Sequence, residues 1–144
     1  GLGKDNSGRG LHEGEMELAE ARAWLAQAEG KPDEALSLMK AIAEKVEVGT
    51  ADGIIYPPVL PPREQVGDLL LAQKNPGEAL RQFEANLKDN PNRFDGIYGA
   101  AQAAELSGDK VAAKKYFAEL VKLGAHADHG SEPIGQAKTF LEGK

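Results

Sequence analysis

A chain of 144 residues has room for one domain, and at that size folding would bury about 68–70% of the unfolded surface. Its 41% apolar share includes only 6% aromatics, which fits closely packed helices rich in Ala and Leu better than a β-sandwich. A net charge of −6 argues against general nucleic-acid or anionic-membrane binding, which needs clustered Lys and Arg, and the absence of Cys removes disulfides, thiolate metal sites and cysteine nucleophiles.

Residues 1–14 are Gly-rich and polar without periodicity, so they are expected to be a flexible lead. They contain no hydrophobic core of a signal peptide, and no stretch of the chain approaches the roughly 20 apolar residues of a membrane span. The first residue is Gly rather than Met, which fits an excised domain, a processed form or a tagged chain. From Glu15 to Glu29, Met16, Leu18, Ala19, Ala23, Trp24, Ala26 and Ala28 recur at helical spacing, with Gly30 as a stop. Pro32 opens a second helix whose stripe is Ala35, Leu36, Met39, Ile42, Ala43 and Val46. A proline-rich loop over 49–62 follows, apolar enough at Ile54, Ile55, Tyr56, Val59 and Leu60 to tuck against helices.

A third helix is expected from Arg63 to Lys74, with Val66, Leu69, Leu70 and Ala72 apolar. Asn75-Pro76-Gly77-Glu78 then reads as a cap, with Asn75 at N-cap, Pro76 at N1 and Glu78 reaching back from N3. The fourth helix buries Ala79, Leu80, Phe83 and Leu87 and stops at Asn90-Pro91. A fifth, from Phe94 to Leu106, carries Ile97, Ala100, Ala101 and Ala104. Asp109 caps a sixth, whose stripe is Val111, Ala112, Tyr116, Phe117, Leu120 and Val121. A last helix over about 132–141 would cover the open end with Ile134, Ala137, Phe140 and Leu141.

Within this series one pattern is written twice. Gly67 recurs as Ala101, Ala79 as Ala113 and Phe83 as Phe117, each pair 34 positions apart, whereas Ala35 precedes Ala79 by 44. The proline loop is thus a ten-residue insertion (44 − 34) in a helical repeat array. These residues resemble the tetratricopeptide repeat. The first helix has a small residue in its middle (Ala23, Gly67, Ala101), and the second has an early Ala (Ala35, Ala79, Ala113) followed by a large residue (Met39, Phe83, Phe117). The closing Pro appears once, as Pro91. The chain departs from the family pattern at Ala19, Arg63 and Ile97, at Ala26, Leu70 and Ala104, and at Asn86. The resemblance implies an all-α, right-handed solenoid of antiparallel helix pairs, with repeats over about 16–48, 60–93 and 94–125 and a C-terminal capping helix, forming one domain over 15–144.

The resemblance also implies that first helices line a ligand groove. That register contains Glu17, Glu20 and Trp24, then Glu64, Asp68 and Leu71, then Asp95, Tyr98, Gln102 and Glu105. It lacks the Lys, Asn and Arg with which family members grip a peptide C-terminal carboxylate. An acidic groove with Trp24 and Tyr98 as anchors suits a protein or peptide segment bearing basic and apolar side chains, with Tyr56, Pro57 and Pro58 of the loop as a further contact. The competing expectation is a solvated acidic face with the aromatics packed on the Tyr56 loop. His126 and His129 are a weak metal candidate, since metal sites need three or four ligands. No serine elbow or phosphate loop is present, so no enzyme activity and no cofactor are expected. The reading is a non-enzymatic interaction module; a structural or oligomerisation segment of a longer chain is the alternative, and a metal-binding accessory domain comes third.

Overall fold

The computed structural model describes residues 13–50, 61–124 and 132–143, which form seven helices and no strand. In chain order these are α1 (Glu13–Ala28), α2 (Pro32–Thr50), α3 (Pro62–Ala72), α4 (Pro76–Asp89), α5 (Phe94–Ser107), α6 (Lys110–Gly124) and α7 (Glu132–Gly143). The chain divides within α3 into two compact units, Gly1–Leu69 and Leu70–Lys144.

In the first unit α1 pairs with α2. Ala23 and Ala26 on α1, and Ala35, Met39 and Ile42 on α2, are buried, so the small residues keep the backbones close while Met39 fills the remaining volume. The turn between them needs a left-handed residue, and Gly30 supplies it at φ 79°. Its N–H donates to Gln27 O, and the Lys31 N–H donates to Ala26 O at 2.9 Å, which satisfies carbonyls the helix leaves open. Three expectations are corrected here. Leu18, Trp24 and Ala28 are exposed rather than part of the stripe, because the face that α1 buries is narrower than its run of apolar residues. The second helix continues to Thr50, past the expected start of the loop. At the other end of that loop Pro62 is the first residue of α3, a position where proline's missing N–H costs nothing. Residues 51–60, with Tyr56, Pro57 and Pro58, lie outside the described residues.

In the second unit α4 packs on α5, α5 on α6 and α6 on α7. α3 ends at Ala72, two residues before the expected Lys74, because Lys74 itself takes the left-handed conformation at φ 60°. Asn75 N–H donates to Leu70 O at 2.8 Å and Lys74 N–H to Leu71 O at 3.0 Å. Gly108 repeats this closure after α5 at φ 85°. Gly30, Lys74 and Gly108 therefore stand at equivalent turns, and only the middle one carries a side chain. The expected side-chain cap by Asn75 is not formed; Glu78 binds Arg81 and Gln82 instead, so α4 starts on Pro76 and on the Asn75 backbone carbonyl, which accepts from Ala79 N–H. Asp109 does cap α6, accepting from Ala112 N–H at 3.0 Å. Val111 does not join the buried stripe of α6 and is 83% exposed. Asn86, polar where the family prefers an apolar residue, is buried and accepts a hydrogen bond from the Asn90 amide.

α4 and α5 pack tightly at Gly99, where a Cβ would overlap the ring of buried Phe83. α7 then continues the repeat frame: Ala100 and Ile134, like Ala103 and Ala137, stand 34 positions apart and all four are buried. Phe140 of α7 lies against Phe117 with ring centroids 4.8 Å apart.

Candidate functional site

Each unit presents part of the expected ligand face. In the first, α1 places Glu17, Glu20 and Trp24 at i, i+3 and i+7, hence along one side of the helix. Trp24 remains 37% exposed, and its indole is held from below: Nε1 donates to Gln65 Oε1 at 3.0 Å, across 41 residues of sequence. Gln65 is only 6% exposed, so α3 supplies a rigid buried partner and leaves part of the ring open. Glu20 is half-buried beside this pair. Burial raises its carboxyl above the ordinary value; the Gln65 amide opposes the rise and the Glu17 charge adds to it. Glu20 Oε1 and Gln65 Nε2 both lie out of solvent next to the indole, without a well-formed hydrogen bond.

One expected groove residue is corrected. Glu64 is 3% exposed, so it belongs to the packed side of α3, while Asp68 is exposed. Adjacent residues on a helix point about 100° apart, so a small rotation decides which of Glu64 and Gln65 reaches the neighbouring helix. Gln65 was not singled out by the repeat pattern, because its equivalents are Ala21 and Gly99 and carry no polar signal.

In the second unit Leu71 is half-buried and Asp95 exposed. The α5 residues Tyr98, Gln102 and Glu105 are drawn into a network with α7. Tyr98 OH donates to Gln136 Oε1 at 2.7 Å and accepts from Gln102 Nε2 at 2.9 Å, and Gln136 Nε2 donates to Glu105 at 3.3 Å. Burial first, then the Glu132 charge, raise the Tyr98 phenol above its ordinary value. Tyr98 is thus tied to α7, and Trp24 is the more exposed of the two aromatic side chains. His126 and His129 lie outside the described residues, and among the described ones no group of three His, Asp or Glu side chains is arranged to hold a metal ion. No described helix is long and apolar enough to cross a membrane.

No family model matches the chain, and no curated protein matches it. Among solved structures, the crystal structure of PcrH from Pseudomonas aeruginosa is similar over 95% of this chain and 96% of its own, with a TM-score of 0.72 and 19% sequence identity. PcrH in complex with the chaperone binding region of PopD is similar over 94% of each chain, with a TM-score of 0.71 and 19% identity. The fold is all-helical and tetratricopeptide-like. At that identity the likeness establishes architecture, and function has to be argued from the residues.

Proposed function

We propose that this chain is a non-enzymatic protein-interaction module that takes a partner segment with basic and apolar side chains on the acidic face of its first helices. The observation that carries the reading is the Trp24 anchor: an indole fixed at its nitrogen by buried Gln65, partly open, and bordered by Glu17 and Glu20. Such a site offers an apolar and cation-attracting ring face beside carboxylates, which suits an Arg or Lys flanked by aliphatic residues. A preformed scaffold also lowers the ordering cost of binding. The reading is supported by the PcrH complex, in which a chain of similar fold is held with a region of another protein.

Trp24 is the only tryptophan, so its fluorescence reports on this face. Titration with a synthetic Lys- and Leu-containing peptide should shift the emission, and the Glu-for-Lys analogue should not. Reversing Glu17 and Asp68 to Lys together should weaken binding by about tenfold or more, since attractive pairs become repulsive. Glu64 is unsuitable for reversal because a buried lysine there would damage the fold. Equal response to both peptides would sink the proposal. The second reading, a self-associating segment, is favoured by half-exposed Leu18 and Leu25, one above the other on α1. Sedimentation over a range of concentrations decides it: a stable dimer lost on Leu18→Ser and Leu25→Ser favours self-association.

A further inference from the structure

α6 buries Ala113, Tyr116, Phe117 and Leu120 on one side. Its outward side carries Val111, Lys114, Lys115, Ala118 and Lys122, all exposed, at i, i+3, i+4, i+7 and i+11, which is one continuous stripe. With Lys110 the helix holds four lysines against one acid, Glu119, a balance of +3 (4 − 1) in a chain of net −6. Lys114 and Lys122 form no ion pair among the described residues, and Lys115 lies 4.9 Å over the ring of its neighbour Tyr116. α4 behaves differently, since its Arg81 is paired with Glu78 at 3.3 Å. Behind the Asp109 cap the first turn of α6 contains no acid, so Lys110 and Lys114 stand one turn apart as like charges. Val111 of this stripe is 83% exposed, and Leu106, on α5 just before the Gly108 turn, is 68% exposed.

We infer that the outward face of α6 is a second docking surface, for a carboxylate-rich segment of a partner protein that also carries an apolar residue. Charge complementarity decides the sign of the partner, and Val111 with Leu106 decides that charge alone is insufficient. Lys115 and Lys122 are seven residues apart, about 10 Å along the axis, so matching carboxylates would stand two helical turns or three extended residues apart. A nucleic acid fits less well, because its phosphates offer nothing to Val111 and the acidic remainder of the chain repels a polyanion. A membrane surface fits less well too, because Val111 and Ala118 are the only apolar residues of the stripe, where an interfacial helix has a broad apolar face.

The test uses the intact chain and a fluorescein-labelled peptide of repeating Glu-Glu-Leu, followed by anisotropy, with the Gln-Gln-Leu analogue as control. The acidic peptide should bind in a salt-dependent way, and K114E with K122E should weaken it about tenfold. V111S should weaken it severalfold, and circular dichroism should confirm that both variants fold. Trp24 emission should stay unchanged on binding, which keeps this result separate from the basic-peptide site. Equal binding of the Gln-Gln-Leu peptide, or full binding by K114E with K122E, overturns the inference. So does binding only to phosphatidylserine vesicles or an oligonucleotide, or a self-association that K114E with K122E abolishes, which would make a second copy the occupant.

Discussion

Gly99 is where the packing of the second unit is most sharply testable. In Gly99→Ala the new Cβ would fall among Cε1, Cζ and Cδ1 of Phe83, a side chain with no exposed surface into which to retreat. Overpacking of this kind costs about 1–3 kcal/mol. Against it stands the intrinsic helix preference of Ala over Gly, about 1 kcal/mol. The expected net is a loss of up to about 2 kcal/mol, read as a lower urea midpoint with an unchanged slope. In a Phe83→Leu background the ring is gone and the same substitution should become neutral or stabilising. The double-mutant cycle should therefore show coupling of about 1–3 kcal/mol, as expected for side chains in contact. If Gly99→Ala is more stable than the parent chain while Phe83 is present, the close approach of α4 and α5 is wrong.

Three further outcomes follow from named contacts. Lys74→Gly should stabilise the chain by about 0.5–1 kcal/mol, because a left-handed non-Gly residue is strained and the equivalent turns already use Gly30 and Gly108; a thermal melt checks it. Tyr116→Phe removes a hydrogen bond donated to Glu84 at 2.9 Å and should cost about 1.5–3 kcal/mol at neutral pH. Burial, then the bond and charge of Glu84, raise the Tyr116 phenol above its unfolded value. Its contribution is thus complete below pH about 10 and lost at higher pH, and the gap to Tyr116→Phe should narrow there. Glu20 is also raised, mainly by burial, so the folded state holds its proton more tightly than the unfolded chain does. Glu20→Gln should then be more stable than the parent at neutral pH, with the advantage shrinking as pH falls through the folded Glu20 titration. Urea melts across pH that show a constant difference would refute the assignment.

Much of the architecture was legible in the sequence because it rests on local rules. Ala23, Ala101, Ala35, Ala79 and Ala113, together with Met39, Phe83 and Phe117, stand at the buried positions that the repeat pattern assigns them once the ten-residue insertion is allowed for. Period, caps and proline placement act within a few residues of one another, so one chain read alone exposes them. The turns were legible only in part. Asn75 looks like a side-chain cap, yet Lys74 takes the left-handed turn and Pro76 starts the helix, since the geometry left by α3 decides which residue turns.

The candidate site was legible as a face and obscure as a set of contacts. Composition placed acids and aromatics on the first helices. It could not show that Gln65 rather than Glu64 stands near Glu20 and holds Trp24, or that Gln136 already engages Tyr98 and Glu105. These bonds join residues 31 to 41 positions apart in the chain. Their formation depends on where a second helix axis falls, and at about 100° per residue a modest rotation exchanges one neighbour for the next. Periodicity alone gives the repeating helix pairs and most of their core positions, because burying a helical stripe needs only the right period. Tertiary structure decided which polar side chains are held, which are occupied and which are left open at Trp24 and along α6, because those are outcomes of helix meeting helix.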